Sequence, residues 1–308
     1  MIRLTAVLAC VAMLTLAPEA NAATRTVKVI THNIAGAYKF HGQLTAVTAA
    51  VRQARRWRPD VVMLEEVCEA QARAFRDRLP GYHYVFTVML PQDSRCPRHG
   101  SDFGHMVASK WPLSGVTRTN LRGDDDQPGE VVRSFWLTCA LVAAPGVPAG
   151  RLRACVTHLR AGNGAMQPSL NAARTAQVHR IHRALHDDIV QRRVRVVVAG
   201  DFNTRPHRPV LDEMYRLRRG GGLGGAGDFF EGDQTDHRYF APSGCGPRAC
   251  RSGQPTCCAG LDEDPPVLDR KYDYVFFSAQ GVSRLSGLPL GLGGSDHALY
   301  RARARFEF

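Results

Sequence analysis

The sequence predicts one layered α/β domain. Strand-like and helix-like segments alternate along the chain without an internal repeat, which favours one layered unit over two independent ones. Residues 194–199 form an almost unbroken β-branched run, as expected for a strand that is buried on both faces. The length of 308 residues suits one large domain or two small ones.

The first residues have the order of a secretory signal peptide. Arg3 precedes an apolar run at 4–16, and small residues at 20–22 follow Pro18. Cleavage after Ala22 would leave residues 23–308 as a secreted, extracellular domain. The apolar run is shorter than the ~20 residues that cross a bilayer, so we expect an exported protein with no transmembrane segment.

The first half of the mature chain alternates between strand and helix patterns. Leu44, Val47 and Val51 recur at helical spacing, which predicts an amphipathic helix that ends at Pro59. A second helix is predicted at 69–79. Strands are predicted at 26–34, 60–67, 82–90 and 105–109.

The second half contains a long helix and two loop-like insertions. Helix 168–189 carries Val178, Ile181 and Leu185 on one stripe. A glycine-rich loop is predicted at 220–227 and a loop rich in Pro, Gly and Cys at 241–266. Strands are predicted at 131–143, 151–159, 194–199, 271–278 and 298–306, with a hairpin-like connection at 145–150.

Charge and cysteine content each leave two interpretations open. The formal net charge of +12 suggests an acidic partner such as nucleic acid or an anionic lipid surface, but a basic surface alone would also produce it. Of nine cysteines, eight follow Cys10, and an even number in an exported chain favours disulfides of unknown pairing. The alternative is a metal site at Cys257 and Cys258, although adjacent cysteines lack common zinc spacing.

Polar side chains follow the apolar strands at the points where these end. Strand ends are where layered α/β proteins gather side chains into a crevice. Each residue alone could be a loop cap, but their repeated placement favours a shared site. The residues are Asn33, Glu66, His158, Asp201 and Asn203, with Asp296 and His297 near the chain's end.

Six short stretches resemble the endonuclease/exonuclease/phosphatase superfamily, which includes deoxyribonucleases, apurinic endonucleases and neutral sphingomyelinases. They appear in the family order and span nearly the whole mature chain. The resemblance implies a four-layer α/β/β/α sandwich with two central mixed β-sheets. The stretches are THNI at 31–34, LEEV at 64–67, THL at 157–159, GDFNT at 200–204, DYVF at 273–276 and SDH at 295–297.

The resemblance also implies a divalent cation. Glu66 matches the family's main metal-binding carboxylate, with Asn33 beside it as a ligand or as an amide that orients one. Asp296 is expected to serve a second metal position, and the number of ions stays open. Oxygen ligands suit a hard cation, so Mg²⁺ is expected, with Mn²⁺ or Ca²⁺ as alternatives.

Catalytic roles follow from the same resemblance. His297 matches the base that activates water, and Asp273 matches the carboxylate that orients its ring. Asp201 and Asn203 are expected beside the water and the scissile phosphate. His158 matches a histidine that binds phosphate or protonates a leaving group.

Three weaker predictions concern the surroundings of the site. Arg133 aligns with a phosphate-contacting arginine, although an exposed strand arginine is an equal alternative. Asp102 is a candidate for orienting His158. The acidic run 124–126 would bind a structural cation or, more simply, form a solvated loop.

Three functions are compatible with these residues. Cleavage of extracellular nucleic acid, with DNA favoured, fits export, charge and His158, because apurinic endonucleases place a tyrosine at that position. Hydrolysis of phospholipid head groups, of the sphingomyelinase or phosphoinositide type, would use the same groups. A non-catalytic nucleic-acid-binding member would be expected to lack a metal carboxylate or catalytic histidine, and none is missing here. We expect a monomer.

Overall fold

The chain forms twelve β-strands and three α-helices within the residues that the computed structural model describes. These residues are 23–96, 101–122, 134–162, 167–218, 224–234, 251–258 and 268–308. The helices are α1 (Thr45–Trp57), α2 (Glu69–Arg78) and α3 (Pro168–Val190). The strands are β1 (Thr24–Asn33), β2 (Val61–Cys68), β3 (His83–Leu90), β4 (Phe103–Ser109), β5 (Leu113–Asn120), β6 (Trp136–Val142), β7 (Leu152–His158), β8 (Arg195–Asp201), β9 (Phe229–Glu231), β10 (Asp273–Ser278), β11 (Val282–Pro289) and β12 (Tyr300–Glu307).

The strands form two mixed sheets of six. The first sheet has the order β11-β12-β1-β2-β4-β3, and the second has the order β5-β6-β7-β8-β10-β9. Within each sheet one central pair is parallel, β1 with β2 and β7 with β8, and the strands that flank these pairs run antiparallel. Each sheet therefore has one place where two parallel strands end side by side.

Helices cover the outer face of each sheet, which confirms the four-layer fold. Between the sheets, Val29 of β1 packs in one buried cluster with Val197 of β8. On the outer faces, Ile30 packs under α1, while Val198 packs under α3. Alternate residues of a strand point to opposite faces, so two buried faces require an uninterrupted apolar run. Every residue of β8 is buried, as predicted.

Most predicted elements are present, but three strands were not predicted. β5, β9 and β11 each lie at an edge of a sheet. The predicted hairpin at 145–150 does connect two antiparallel strands, β6 and β7. The predicted leader at 1–22 and most of the loop at 241–266 lie outside the described residues. No helix in the described part of the chain has the length and apolarity needed to cross a membrane.

Six of the eight cysteines after Cys10 form disulfides, in agreement with the prediction. The pairs are Cys68–Cys96, Cys139–Cys155 and Cys257–Cys258. In the last pair the two sulfurs are bonded to each other and are not thiolates, so the alternative of a thiolate metal site does not apply to this state. Cys245 and Cys250 lie outside the described residues.

Candidate active site

A bulge in the first sheet presents Glu66 beside Asn33. In the parallel pair of β1 and β2, Asn33 is in register with Glu65, and the register of β2 against β4 shifts between Leu64 and Val67. Glu66 has a positive φ of 55° at this shift. Asn33 Nδ2 donates to Glu66 Oε1 at 3.1 Å.

Glu65, by contrast, is part of the interior. Its side chain is fully buried and accepts a hydrogen bond from Thr31 Oγ1 at 2.7 Å. Burial raises the pKa of Glu65 well above its usual range. The bulge thus separates two adjacent glutamates, one buried in the core and one at the site.

The parallel pair of the second sheet contributes His158 and Asp201. These residues are in register where β7 and β8 end. The backbone N–H of Asn203 donates to Asp201 Oδ1 at 2.7 Å, and Asn203 Nδ2 donates to the carbonyl of Leu159 at 3.1 Å. Asn203 itself has a positive φ of 51°, a conformation that asparagine tolerates better than most residues.

The two sheets meet at one carboxylate oxygen. Asp201 Oδ2 accepts a hydrogen bond from Asn33 Nδ2 at 3.1 Å. The Nε2 atoms of His158 and His297 lie 3.6 and 3.7 Å from this same oxygen. His158 Nε2 is also 3.8 Å from Glu66 Oε1. Asp201 therefore lies between two histidines that belong to different parts of the chain.

His297 is fixed by contacts on both its backbone and its ring. Its backbone N–H donates to Ser295 Oγ at 3.2 Å, and Ser295 Oγ donates to the carbonyl of Asn33 at 2.7 Å. Its Nδ1 donates to Asp273 Oδ2 at 2.9 Å. Because Nδ1 is held in this way, Nε2 is the nitrogen that faces Asp201.

Charge controls the protonation of this pair. Burial lowers the pKa of His297, but the negative charges of Asp273 and Asp201 and the hydrogen bond to Asp273 raise it more, to about 10. Burial also raises the pKa of Asp201. Without a cation nearby, His297 therefore carries a proton at neutral pH.

His158 is a buried histidine whose ring is not hydrogen-bonded to the described part of the chain. Its exposed fraction is 4%, and neither ring nitrogen makes a hydrogen bond to any described residue. Buried polar atoms are almost always paired, and exceptions deserve a functional explanation. A ring nitrogen free to bond with a phosphate or a leaving group is such an explanation.

The structure places the remaining predicted residues in different surroundings. Asp296 Oδ2 forms an ion pair with Lys39 Nζ at 2.5 Å. Asp102 accepts a hydrogen bond from the backbone of Gln92 through Oδ1, and His158 Nδ1 has no partner among the described residues, so the prediction that Asp102 orients His158 is wrong. Arg133 and the acidic run 124–126 lie outside the described residues.

Two contacts at the site had no signal in the sequence. Lys39 reaches Asp296 from 257 positions away, and Cys257 Sγ lies 3.3 Å from His297 Nε2. A lysine after a small-residue loop and a cysteine of a disulfide match no motif, so only the folded chain brings them together with the catalytic candidates.

A basic cavity adjoins the site at Asn203. Its volume is about 480 Å³, and Arg205, Arg208 and Arg270 contribute to its lining. Asp269 is within 3.8 Å of Arg205 and 3.2 Å of Arg270, so one carboxylate faces two guanidinium groups. The arginines leave the cavity positively charged.

The donor groups present suit a hard divalent cation. Glu66 offers a carboxylate that is 20% exposed and is oriented by Asn33. Ligand atoms of Asp201, Asp273 and His297 also lie within 4.8 Å of one another. Asn33 directs its amide N–H groups at Glu66 and Asp201, while its oxygen accepts from the backbone of Ala35, so in this arrangement it orients ligands.

Several solved structures share this fold. The human nocturnin catalytic domain with bound sulfate is 16% identical, with a TM-score of 0.65 over 91% of this chain and 93% of that one. An endonuclease/exonuclease/phosphatase family protein from Bacteroides thetaiotaomicron is 12% identical, with a TM-score of 0.65 over 94% and 98%. ANGEL2, described as a 2',3'-cyclic phosphatase and bound to adenosine-2',3'-vanadate, is 16% identical, with a TM-score of 0.62 over 92% and 97%.

Sequence comparison is decisive for the family. No curated protein matches the chain. A family model, however, matches residues 30–297, which include every predicted site residue from Asn33 to His297. The chain therefore belongs to the endonuclease/exonuclease/phosphatase family.

Proposed function

We propose that this chain is a secreted, divalent-cation-dependent phosphodiesterase that cleaves extracellular nucleic acid. One observation carries the proposal: two buried histidines flank Asp201 Oδ2, and they differ in their partners. His297 is hydrogen-bonded to a carboxylate, whereas His158 has no hydrogen-bond partner among the described residues. Such a pair suits a reaction that removes a proton at one place and delivers a proton at another.

The proposed chemistry assigns one step to each histidine. His297 Nε2 takes a proton from the attacking water, while Asp273 holds the ring and stabilises its charged form. Asp201 and Asn203 position the water and the phosphate. As the bond from phosphorus to the leaving oxygen breaks, His158 donates a hydrogen bond or proton to that oxygen.

Glu66 is the residue that we propose as the principal cation ligand, with Asn33 orienting it. When bound, Mg²⁺ would polarise a phosphoryl oxygen and offset the negative charge that raises the pKa of His297. Asp296 would serve a second cation only after releasing Lys39. Carboxylate and amide oxygens are ligands that Mg²⁺ accepts, and Mn²⁺ or Ca²⁺ would use the same donors.

Charge supports nucleic acid as the substrate. The chain has a net charge of +12, and the cavity beside Asn203 is lined by arginines. A guanidinium group matches the oxygens of a phosphate. ANGEL2, which shares the fold, binds an adenosine derivative. We propose that the arginines of the cavity, together with Arg133, contact a polynucleotide backbone, with DNA favoured.

A substrate panel tests this function. The exported protein would be incubated with plasmid DNA, RNA, sphingomyelin and inositol phosphates, with Mg²⁺ or with excess chelator. We expect cleavage of nucleic acid, DNA first, that stops in chelator. Preferential release of a lipid head group would show that the substrate is a phospholipid rather than nucleic acid. Full activity in chelator would remove the cation from the mechanism.

A catalytic control is needed because nucleases are common contaminants. Asp273→Asn, purified in the same way, should lose the activity, because it leaves His297 without its charged partner. His83→Ala changes an exposed histidine on β3 and should retain the activity. Binding of nucleic acid without cleavage by the parent protein would instead favour a non-catalytic member of the family.

A further inference from the structure

Three histidines lie on one side of α3, away from the candidate active site. His179, His182 and His186 are three and four positions apart, a spacing that places side chains on the same helix face. His179 Nδ1 lies 2.7 Å from Glu213 Oε2. His182 Nε2 and His186 Nδ1 lie 3.1 and 3.0 Å from the same atom, Asp228 Oδ2.

We propose that His182, His186 and Asp228 form a site for a transition-metal dication such as Zn²⁺. Their ligand atoms all lie within 4.8 Å of one another. In a tetrahedral zinc site with bonds of about 2.0–2.1 Å, adjacent ligand atoms are about 3.3 Å apart. The two distances from nitrogen to oxygen are thus already close to the length of an edge of that tetrahedron.

The donor set selects the class of metal. Two imidazoles and one carboxylate suit zinc, nickel or copper, whereas Mg²⁺ and Ca²⁺ prefer sites made only of oxygen. The His186 side chain is 47% exposed, and those of His182 and Asp228 are 19% exposed, so an ion can enter from solvent. Metal binding would break the two N–H hydrogen bonds to Asp228, and both of these ring nitrogens and the Asp228 carboxylate would become ligands. A neutral ring would then carry its proton on the other ring nitrogen, whereas a charged ring would release one proton to solvent.

Topology separates this site from the catalytic candidates. The carbonyl of Asp228 accepts a hydrogen bond from Ala279, just beyond the last residue of β10. Asp273 is the first residue of that strand, which is six residues long. At about 3.3 Å per residue, the two ends are roughly 17 Å apart. A metal here would join α3 to the segment before β9 and stabilise the contact of helix and sheet.

Zinc binding to the exported protein, purified without a histidine tag, tests the proposal. Equilibrium dialysis would give the number of zinc ions bound and their affinities for the parent chain, for His182→Gln with His186→Gln, and for His83→Gln as the matched control. We expect the double variant to lose one equivalent and the control to lose none. His182→Gln or His186→Gln alone should lower the zinc affinity of this site by about 10-fold or more, since even the loss of a residue that only orients a metal ligand commonly costs that much.

Three features make the result decisive. Zinc bound at the catalytic candidates is common to all the proteins and cancels in the comparison. Asp228→Asn keeps both histidines and should also lose the equivalent, which covers the case of a poorly folded double variant. Zinc should raise the unfolding temperature of the parent more than that of either variant. If the parent, the double variant and Asp228→Asn bound the same number of zinc ions with the same affinities, the three residues would form only a hydrogen-bonded cluster. That result would overturn the proposed zinc site.

Discussion

His297 and Asp273 form the contact on which turnover should depend most. The ring of His297 receives its orientation from Asp273 at 2.9 Å, and its pKa of about 10 reflects the charges of Asp273 and Asp201. His297→Ala should lower turnover by about 10²–10⁴-fold, the usual contribution of a general base. Asp273→Asn and His158→Ala should also lower the turnover number. Turnover numbers on the best substrate would measure this.

The opposite pattern would contradict the assignment. Arg133→Ala changes a predicted phosphate contact and should mainly raise KM, since one electrostatic contact contributes chiefly to binding. Near-normal turnover in the three site variants, together with loss of turnover in Arg133→Ala, would place the catalytic centre elsewhere.

Two adjacent glutamates offer a matched test of the cation site. Glu66→Gln keeps the size of the side chain and an acceptor for Asn33 but removes the negative charge. The Mg²⁺ concentration that gives half-maximal activity should therefore rise by about 10-fold or more. Glu65→Gln is the control, because it makes the same change at a side chain that is buried in the core and whose pKa is raised by burial. Activity would be titrated against Mg²⁺. Equal curves for Glu66→Gln and the parent would exclude Glu66 as a ligand.

The polar residues of the candidate site could be proposed from the sequence because recognisable motifs contain them. Side chains outside these motifs could not be predicted to lie at the site. Lys39 neutralises Asp296 across 257 positions, and the contact of Cys257 with His297 depends on a loop with no periodic pattern. Such pairings follow from tertiary packing, which local propensity does not encode.

At the scale of the elements, burial separates β8, which could be predicted, from β5 and β11, which could not. β8 lies inside the second sheet with every residue buried, and its apolar run is unmistakable. β5 and β11 lie at sheet edges, are largely exposed and include glycine, so neither shows an apolar pattern. Because the side chains of these two edge strands are less covered than those of β8, they can be polar. Polar and charged side chains at a sheet edge also discourage pairing with another chain.

Gly200 links the pairing of two strands to the site. It lies opposite Thr157 in the pair of β7 and β8, with φ of 143°, and an added Cβ would lie 1.8 Å from the Thr157 carbonyl oxygen. Gly200→Ala must therefore move the backbone beside both His158 and Asp201. We expect the free energy of unfolding to fall by about 3 kcal/mol or more, with loss of turnover in the folded fraction.

A second glycine provides the control for this prediction. An added Cβ at Gly81 meets no atom within 4 Å, so Gly81→Ala should change stability by no more than about 0.5 kcal/mol. Urea unfolding of both variants would make the comparison. Similar stability in Gly200→Ala and the parent would mean that β7 and β8 tolerate separation at this point.

For the whole molecule, the packing of the two sheets includes a buried histidine. His105 of β4 is fully buried, and its Nε2 donates to Thr138 Oγ1 of β6, in the other sheet, at 2.8 Å. Thr138 Oγ1 in turn donates to Thr87 Oγ1 at 2.9 Å. Burial, with smaller contributions from His158 and Arg118, lowers the pKa of His105 to about 3. The folded protein thus keeps a neutral ring between its sheets.

This ring should make the fold sensitive to acid. The unfolded chain takes up a proton at His105 near pH 6.5, whereas the folded chain does so only near pH 3, so stability falls as pH decreases through that interval. Between pH 7.5 and 5 the loss from His105 should be about 2 kcal/mol. His105→Gln keeps a donor for Thr138 but cannot be protonated, so its urea unfolding should lose about 2 kcal/mol less than the parent over this range. His83→Gln, an exposed change, should follow the parent, and identical pH dependence in all three proteins would show that His105 is not the acid-sensitive group.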